Sequence, residues 1–159
     1  MENLTGELTE FIGGLPPVVQ FFALFLVGIV PFLESQIGTL IGVVTGVPVV
    51  LAAAAAIAGN LLALLIATRA GAAVARRVES RQKSERSNRF RKVMAKVDRF
   101  GVPVASLLGP FVLATALSTF IMISAGLKQR TVVFWQVLAV ILWAVIFAVL
   151  GLGARSVLG

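Results

Sequence analysis

From Leu15 to Thr68 the chain carries a single charged residue, Glu34. A soluble fold cannot be built from such a stretch, because too little polar surface is left to cover a core. The whole composition agrees: 58% of residues are hydrophobic and 13% charged, with a mean hydropathy of +1.00. The 159 residues suffice for one domain. At ~20 apolar residues per crossing they allow only a few membrane spans. The sequence therefore reads as a small all-α integral membrane protein, a single membrane domain over 1–159.

Glu34 is the anomaly in this stretch. A charged carboxylate at the centre of a bilayer costs roughly 2.5–3.5 kcal/mol on insertion scales, so an intramembrane acid is a functional-site candidate by default. Other chemistry is limited by the inventory, since the chain has no Cys, no His and no Tyr. That removes thiolate and imidazole metal ligands and the commonest general base. No metal, no cofactor and no enzymatic activity are expected.

The net charge of +7 is concentrated in one place: eleven of the fourteen Lys and Arg lie between Arg69 and Arg99. Flanked by apolar sequence, a basic block of this kind marks the cytoplasmic side of a membrane protein. Nucleic acid is not the expected partner. Within the block Phe90, Val93, Met94 and Val97 recur at helical spacing, with Arg91, Lys92, Lys96 and Arg99 on the other faces. This predicts a basic amphipathic helix suited to anionic lipid headgroups. The first ten residues carry Glu2, Glu7 and Glu10 and no basic residue. They read as an acidic interfacial segment, not a secretory signal, which would open with positive charge.

Proline divides the apolar sequence. Pro16-Pro17 opens a run that reaches Pro31, and a second run ends at Pro48. The run from Val18 to Val30 covers roughly 20 Å as a helix, short of the ~30 Å hydrocarbon core. Two short halves predict a hairpin that dips into the membrane and returns, a form tolerated where it faces protein or water. In its second half Gly38, Gly42 and Gly46 recur every fourth residue. Small residues so spaced let another backbone approach closely, and leave a homodimer open. Pro48 to Thr68 reads as a full span. It is interrupted in character only by Gly59-Asn60, and Asn60 is expected to hydrogen-bond across a helix interface or to contact substrate.

After the basic link the pattern repeats. Gly101 to Gly126 is broken by Pro103, Gly109 and Pro110 and carries Thr115, Ser118, Thr119 and Ser124. It reads as a second hairpin. Thr131 to Leu152, with Trp135 and Trp143, reads as a second full span. The expected architecture is thus an inverted repeat of two broken re-entrant hairpins, each followed by a transmembrane helix. The first repeat covers 15–68, the basic cytoplasmic link 69–99 and the second repeat 100–152. With 69–99 inside, the N-terminus lies outside. Two hairpins of opposite orientation then keep Lys128 and Arg130 inside as well, as the charge rule prefers. Broken segments in inverted repeats are a transporter design.

Three short elements, Glu34-Ser35-Gln36-Ile37-Gly38, Gly59-Asn60 and Pro110 to Ala116 followed by Ala125-Gly126-Leu127-Lys128, resemble in order and spacing the small multidrug export family, within the wider DedA-like superfamily. The resemblance covers roughly 17–152. Gln36 stands where that family has Arg, and Ala114 and Ala116 where it has Gly. The resemblance implies an inverted pair of re-entrant hairpins and a role in export or in flipping a lipid carrier, driven by the proton gradient.

The residue reading gives the same first expectation: a small membrane transporter, proton-coupled through Glu34. Burial disfavours the charged form of a carboxyl, so such a group can load and release a proton. Gln36, Asn60, Thr115, Ser118 and Thr119 are expected to line the polar path where the hairpin tips meet. For the hydroxyls the competing reading is a bond back to their own helix. The second function carried forward is a non-transporting subunit of a larger envelope complex.

Overall fold

A computed structural model describes residues 7, 10–11, 14–81 and 101–158. The expected basic helix, with Arg91, Lys92, Lys96 and Arg99, lies outside the described residues. Every element among the described residues is helical: α1 (Pro17–Ile29), α2 (Glu34–Val44), α3 (Val49–Arg81), α4 (Val102–Leu108), a single turn of 3-10 helix (Gly109–Phe111), α5 (Thr115–Ser124) and α6 (Gln129–Leu158). Proline sets most of these boundaries. Pro17 sits in the first turn of α1, Pro31 lies between α1 and α2, Pro48 precedes α3 and Pro110 falls in the 3-10 turn. Pro103, expected as a break, opens α4 instead. Its missing N–H falls where a helix has no acceptor to offer.

The two long helices outrun their expected lengths. α3 has 33 residues and α6 has 30, roughly 50 and 45 Å of helix. α3 does not stop at Thr68, because Arg69 to Arg81 contains no proline and is rich in Ala and Arg, both strong helix formers. Both helices are long and apolar enough to cross a membrane, with 39% of the most apolar window of α3 and 28% of that of α6 buried. A core helix of a soluble protein would be largely covered. Here Phe134, Ile141, Leu142, Val145 and Val149 of α6 stand exposed. This is the architecture expected of an α-helical membrane protein.

The chain forms two compact units. The first comprises Met1–Leu62 and Val140–Gly159, the second Ala63–Ala139. The division therefore runs through α3 and α6, where the sequence placed the boundary in the basic link. In the first unit α2 runs antiparallel to α3, with Gly38 facing Ala56 and Gly42 facing Ala52. It runs parallel to the end of α6, with Ser35 beside Val140 and Val43 beside Gly151. Leu24, Val43, Val47, Ala52 and Ala55 form the core. Gly28 abuts the Ala56 carbonyl and Gly59 the Phe25 carbonyl so closely that neither site admits a Cβ. In the second unit the core is Val102, Met122, Ile123 and Val132, with Ala72, Leu127 and Trp135 packed on it.

Several features of the first unit recur eighty residues later in the second. α2 ends with Gly46 at φ 87° and α5 with Gly126 at φ 92°. Both ends carry the same bonds: Gly46 N to Val43 O and Val47 N to Gly42 O, then Gly126 N to Ile123 O and Leu127 N to Met122 O. This is the Schellman pattern, which needs a left-handed residue that glycine supplies without steric cost. α3 starts at Val49 and α6 at Gln129. Val43 packs on Gly151 in the first unit, and Ile123 on Gly71 in the second.

Candidate functional site

The turn between α1 and α2 builds the site. The Val30 carbonyl accepts N–H bonds from Leu33 (3.2 Å) and Glu34 (3.1 Å). Pro31 takes the second position and Phe32, at φ 71°, the third. That fits a type II turn, whose third position needs positive φ and is ordinarily Gly or Asn. Glu34 follows, also left-handed at φ 49°. Two non-glycine residues at positive φ within three positions are a costly local geometry, of order 1–3 kcal/mol each, of a kind that clusters at functional sites.

This backbone turns Glu34, Ser35 and Gln36 inward together, and all three are buried, Glu34 to 3% exposure. Gln36 Nε2 donates to Glu34 Oε2 at 3.4 Å. Gln36 Oε1 lies 3.5 Å from Ser35 Oγ. Asn60 Nδ2, from α3, donates to Ser35 Oγ at 3.3 Å, and Ser35 Oγ donates to the Val140 carbonyl of α6 at 3.1 Å. The result is a run of polar groups from the carboxylate through an amide and a hydroxyl to the backbone of another helix, with one Ser35 proton for two acceptors, Gln36 Oε1 and the Val140 carbonyl. One turn further on, Thr39 is fully buried and its hydroxyl has no hydrogen-bond partner among the described residues. Gln20 of α1 is also buried in this unit.

The remaining expected path residues lie in the second unit. Thr115, Ser118 and Thr119 are all buried. Ser118 Oγ and Thr119 Oγ1 both donate to the Thr115 carbonyl, at 3.0 and 2.8 Å. The Ser118 and Thr119 hydroxyls thus bond back to their own helix. Gln136 of α6, fully buried, donates from Nε2 to Ser118 Oγ at 2.9 Å. Its Oε1, with Ser106 Oγ and Thr68 Oγ1, lacks a partner among the described residues.

Of the residues named from sequence, the structure brings Glu34, Gln36 and Asn60 together in one unit, and Thr115, Ser118 and Thr119 in the other. Ser35, Thr39, Gln20 and Gln136 were missed. Gln136 was findable, as the only side chain between Thr131 and Arg155 that carries an amide or a charge. Ser35 was not, because its value comes from the atoms it touches. The glycines divide by role. Gly38 and Gly42 give α2 its close approach to α3, whereas Gly46 lies past the helix end as a cap. The Gly38–Gly42 face packs against Ala56 and Ala52 of α3 in the same chain.

Among the described residues no three His, Cys, Asp or Glu side chains gather as a metal site would require. Comparison with protein-family models, curated proteins and solved structures gave no match.

Proposed function

We propose that this chain is a small multi-pass transporter of the cell membrane that uses Glu34 as a proton-linked carboxyl to export a small molecule or flip a lipid carrier. The observation that carries the reading is the buried polar chain Glu34–Gln36–Ser35–Asn60, ending on the Val140 carbonyl. An acid buried among helices that present apolar side chains outward has no structural need to be there. Gln36, which donates to its Oε2, is a neutral group that can follow a change in its protonation.

The depth of the site supports the reading. Ser35 stands level with Asn60, about 17 Å along α3 from Val49, just past the middle of the apolar stretch Pro48–Thr68. We read α1 and α2 as a re-entrant hairpin with its tip at that depth. The contacts and caps that recur at an offset of eighty residues support a second, inverted copy built on α4 and α5. The basic link is placed in the cytoplasm and the N-terminus outside, in keeping with the distribution of Lys and Arg. The role agrees with what the resemblance to small multidrug export proteins implies.

The test is Glu34→Gln in proteoliposomes under an imposed pH gradient, with a panel of fluorescent cations and a labelled lipid carrier as probes. The variant keeps its thermal stability within about 1 kcal/mol, since an amide replaces an acid of the same shape, and loses gradient-driven transport. Full transport by Glu34→Gln ends the proposal. A wild-type protein inactive on every probe that co-purifies with a stoichiometric membrane partner points instead to the subunit role.

A further inference from the structure

The second unit has three buried oxygens without a hydrogen-bond partner among the described residues: Thr68 Oγ1 of α3, Ser106 Oγ of α4 and Gln136 Oε1 of α6. None of the three side chains is more than 4% exposed. Hydroxyls on helices ordinarily bond back to their own backbone. Thr45, Ser118, Thr119, Ser124 and Ser156 do so, each to a carbonyl three or four residues earlier. Thr68 and Ser106 do not, although each lies within a helix. A buried polar atom so placed bears the full cost of its lost hydration. We propose that Thr68, Ser106 and Gln136 form an internal binding site for a neutral group with an O–H or N–H to donate.

The three side chains come from different helices to one level. The apolar core of this unit is Val102, Met122, Ile123 and Val132, with Ala72 packed on it. Ser106 is one turn past Val102 in α4, Gln136 one turn past Val132 in α6, and Ser118 one turn before Met122 in α5. Gln136 and Ser118 meet at 2.9 Å. Gly109, three residues past Ser106, faces Ser118 Oγ, 4.0 Å from where a Cβ would stand. α4 therefore runs from the core toward Ser118, as α6 does. Thr68 is one turn before Ala72. The contact of Ile123 with Gly71 matches that of Val43 with Gly151, where the helices run parallel. The same direction in this unit sets Thr68 on the Thr119 side. A polar layer thus lies one turn from the apolar one, and each of the four helices contributes to it.

The bonds already made define what this layer calls for. Ser118 gives its one proton to the Thr115 carbonyl at 3.0 Å, so Gln136 offers it the NH2 and holds Oε1 away. Ser118 is then the residue that orients Gln136. An amide oxygen only accepts, whereas the two hydroxyls can give or accept. The guest must therefore donate. It must also be neutral. Among the described residues no charged side chain of this unit is buried, and Arg69, beside Thr68, is exposed. An ion bound here would lose its water and meet no counter-charge. Water and the hydroxyl or amide of a small solute share the chemistry that fits. The site stands on the second unit alone and does not depend on Glu34.

The experiment uses the full chain, in detergent for melting and in lipid vesicles for labelling. Thr68→Val and, independently, Ser106→Ala are each expected to lower the melting temperature by about 2 °C or more, because the guest loses a partner. At a dry site the same changes would raise it, since they remove an unpaired polar atom. Single thiols report on access. Ser106→Cys and Thr68→Cys are expected to react with the neutral reagent methyl methanethiosulfonate at least about tenfold faster than Ala139→Cys, a fully buried position of α6, because only a solvated thiol ionises. Acetamide or glycerol that halves the rate at Ser106→Cys identifies a small solute as the guest, and rates unchanged by both identify water. Melting temperatures that rise in both variants, or thiols at both positions that react no faster than Ala139→Cys, overturn the site. Protection by potassium formate and not by acetamide or glycerol overturns the neutral guest.

Discussion

At the scale of single residues, the α1–α2 turn is held in a shape its own side chains resist. Phe32 at φ 71° occupies a glycine position, and a left-handed backbone costs an ordinary L-residue roughly 1–2 kcal/mol. Its ring is 62% exposed, so little packing in the described chain depends on it. Phe32→Gly is therefore expected to hold or raise the melting temperature in detergent, and Phe32→Val to lower it, because β-branched residues tolerate positive φ least. Differential scanning fluorimetry of the pair decides this. Equal melting temperatures would show that the turn is not held at positive φ. Glu34 was legible in the sequence because it is alone in an apolar stretch. The strain around it was not, because Phe32 and Leu33 carry no signal of positive φ; it is seen in the turn closed on the Val30 carbonyl.

At the scale of elements, glycines with the same letter have opposite roles. Gly28 crosses the α3 backbone at the Ala56 carbonyl with no space for a Cβ, whereas Gly153, on the exposed side of α6, has nothing within 4 Å. Gly28→Val should force α1 off α3 and lower thermal stability by more than about 2 kcal/mol, the scale of overpacking against backbone. Gly153→Ala should leave stability unchanged or raise it by up to about 1 kcal/mol, the helix-propensity difference. Size-exclusion profiles and melting curves of the two variants check the contrast, and a stable, monodisperse Gly28→Val would refute the close crossing. The sequence announced the short helices through their prolines. It did not announce that Gly38 and Gly42 serve α3 while Gly46 serves a cap, since spacing alone makes the three equivalent.

At the scale of the whole molecule, the proposed membrane orientation is open to a direct test. The chain has no Cys, so single thiols can be introduced cleanly at the two ends of α6. In intact cells Gln129→Cys should be protected from a membrane-impermeant maleimide added outside, and Ser156→Cys should react with it. Labelling of position 129 from outside would reverse the assignment of the basic residues to the cytoplasmic face. The antiparallel run of α3 and α6 in the first unit follows from α2, which lies antiparallel to one and parallel to the other.

The sequence by itself determined the class of molecule and its helices, because hydrophobic length and proline act locally: apolar runs must be helical to satisfy their backbone in lipid, and proline says where they stop. It also isolated Glu34 and Asn60, whose cost in an apolar setting needs no neighbours to be recognised. Only the tertiary structure decided that the last half of α6 belongs with the first hairpin. The same folding joined Glu34 to the Val140 carbonyl through Gln36 and Ser35. Those partners lie up to 106 positions from Glu34 along the chain, and a hydrogen bond is fixed by distances that no local pattern carries.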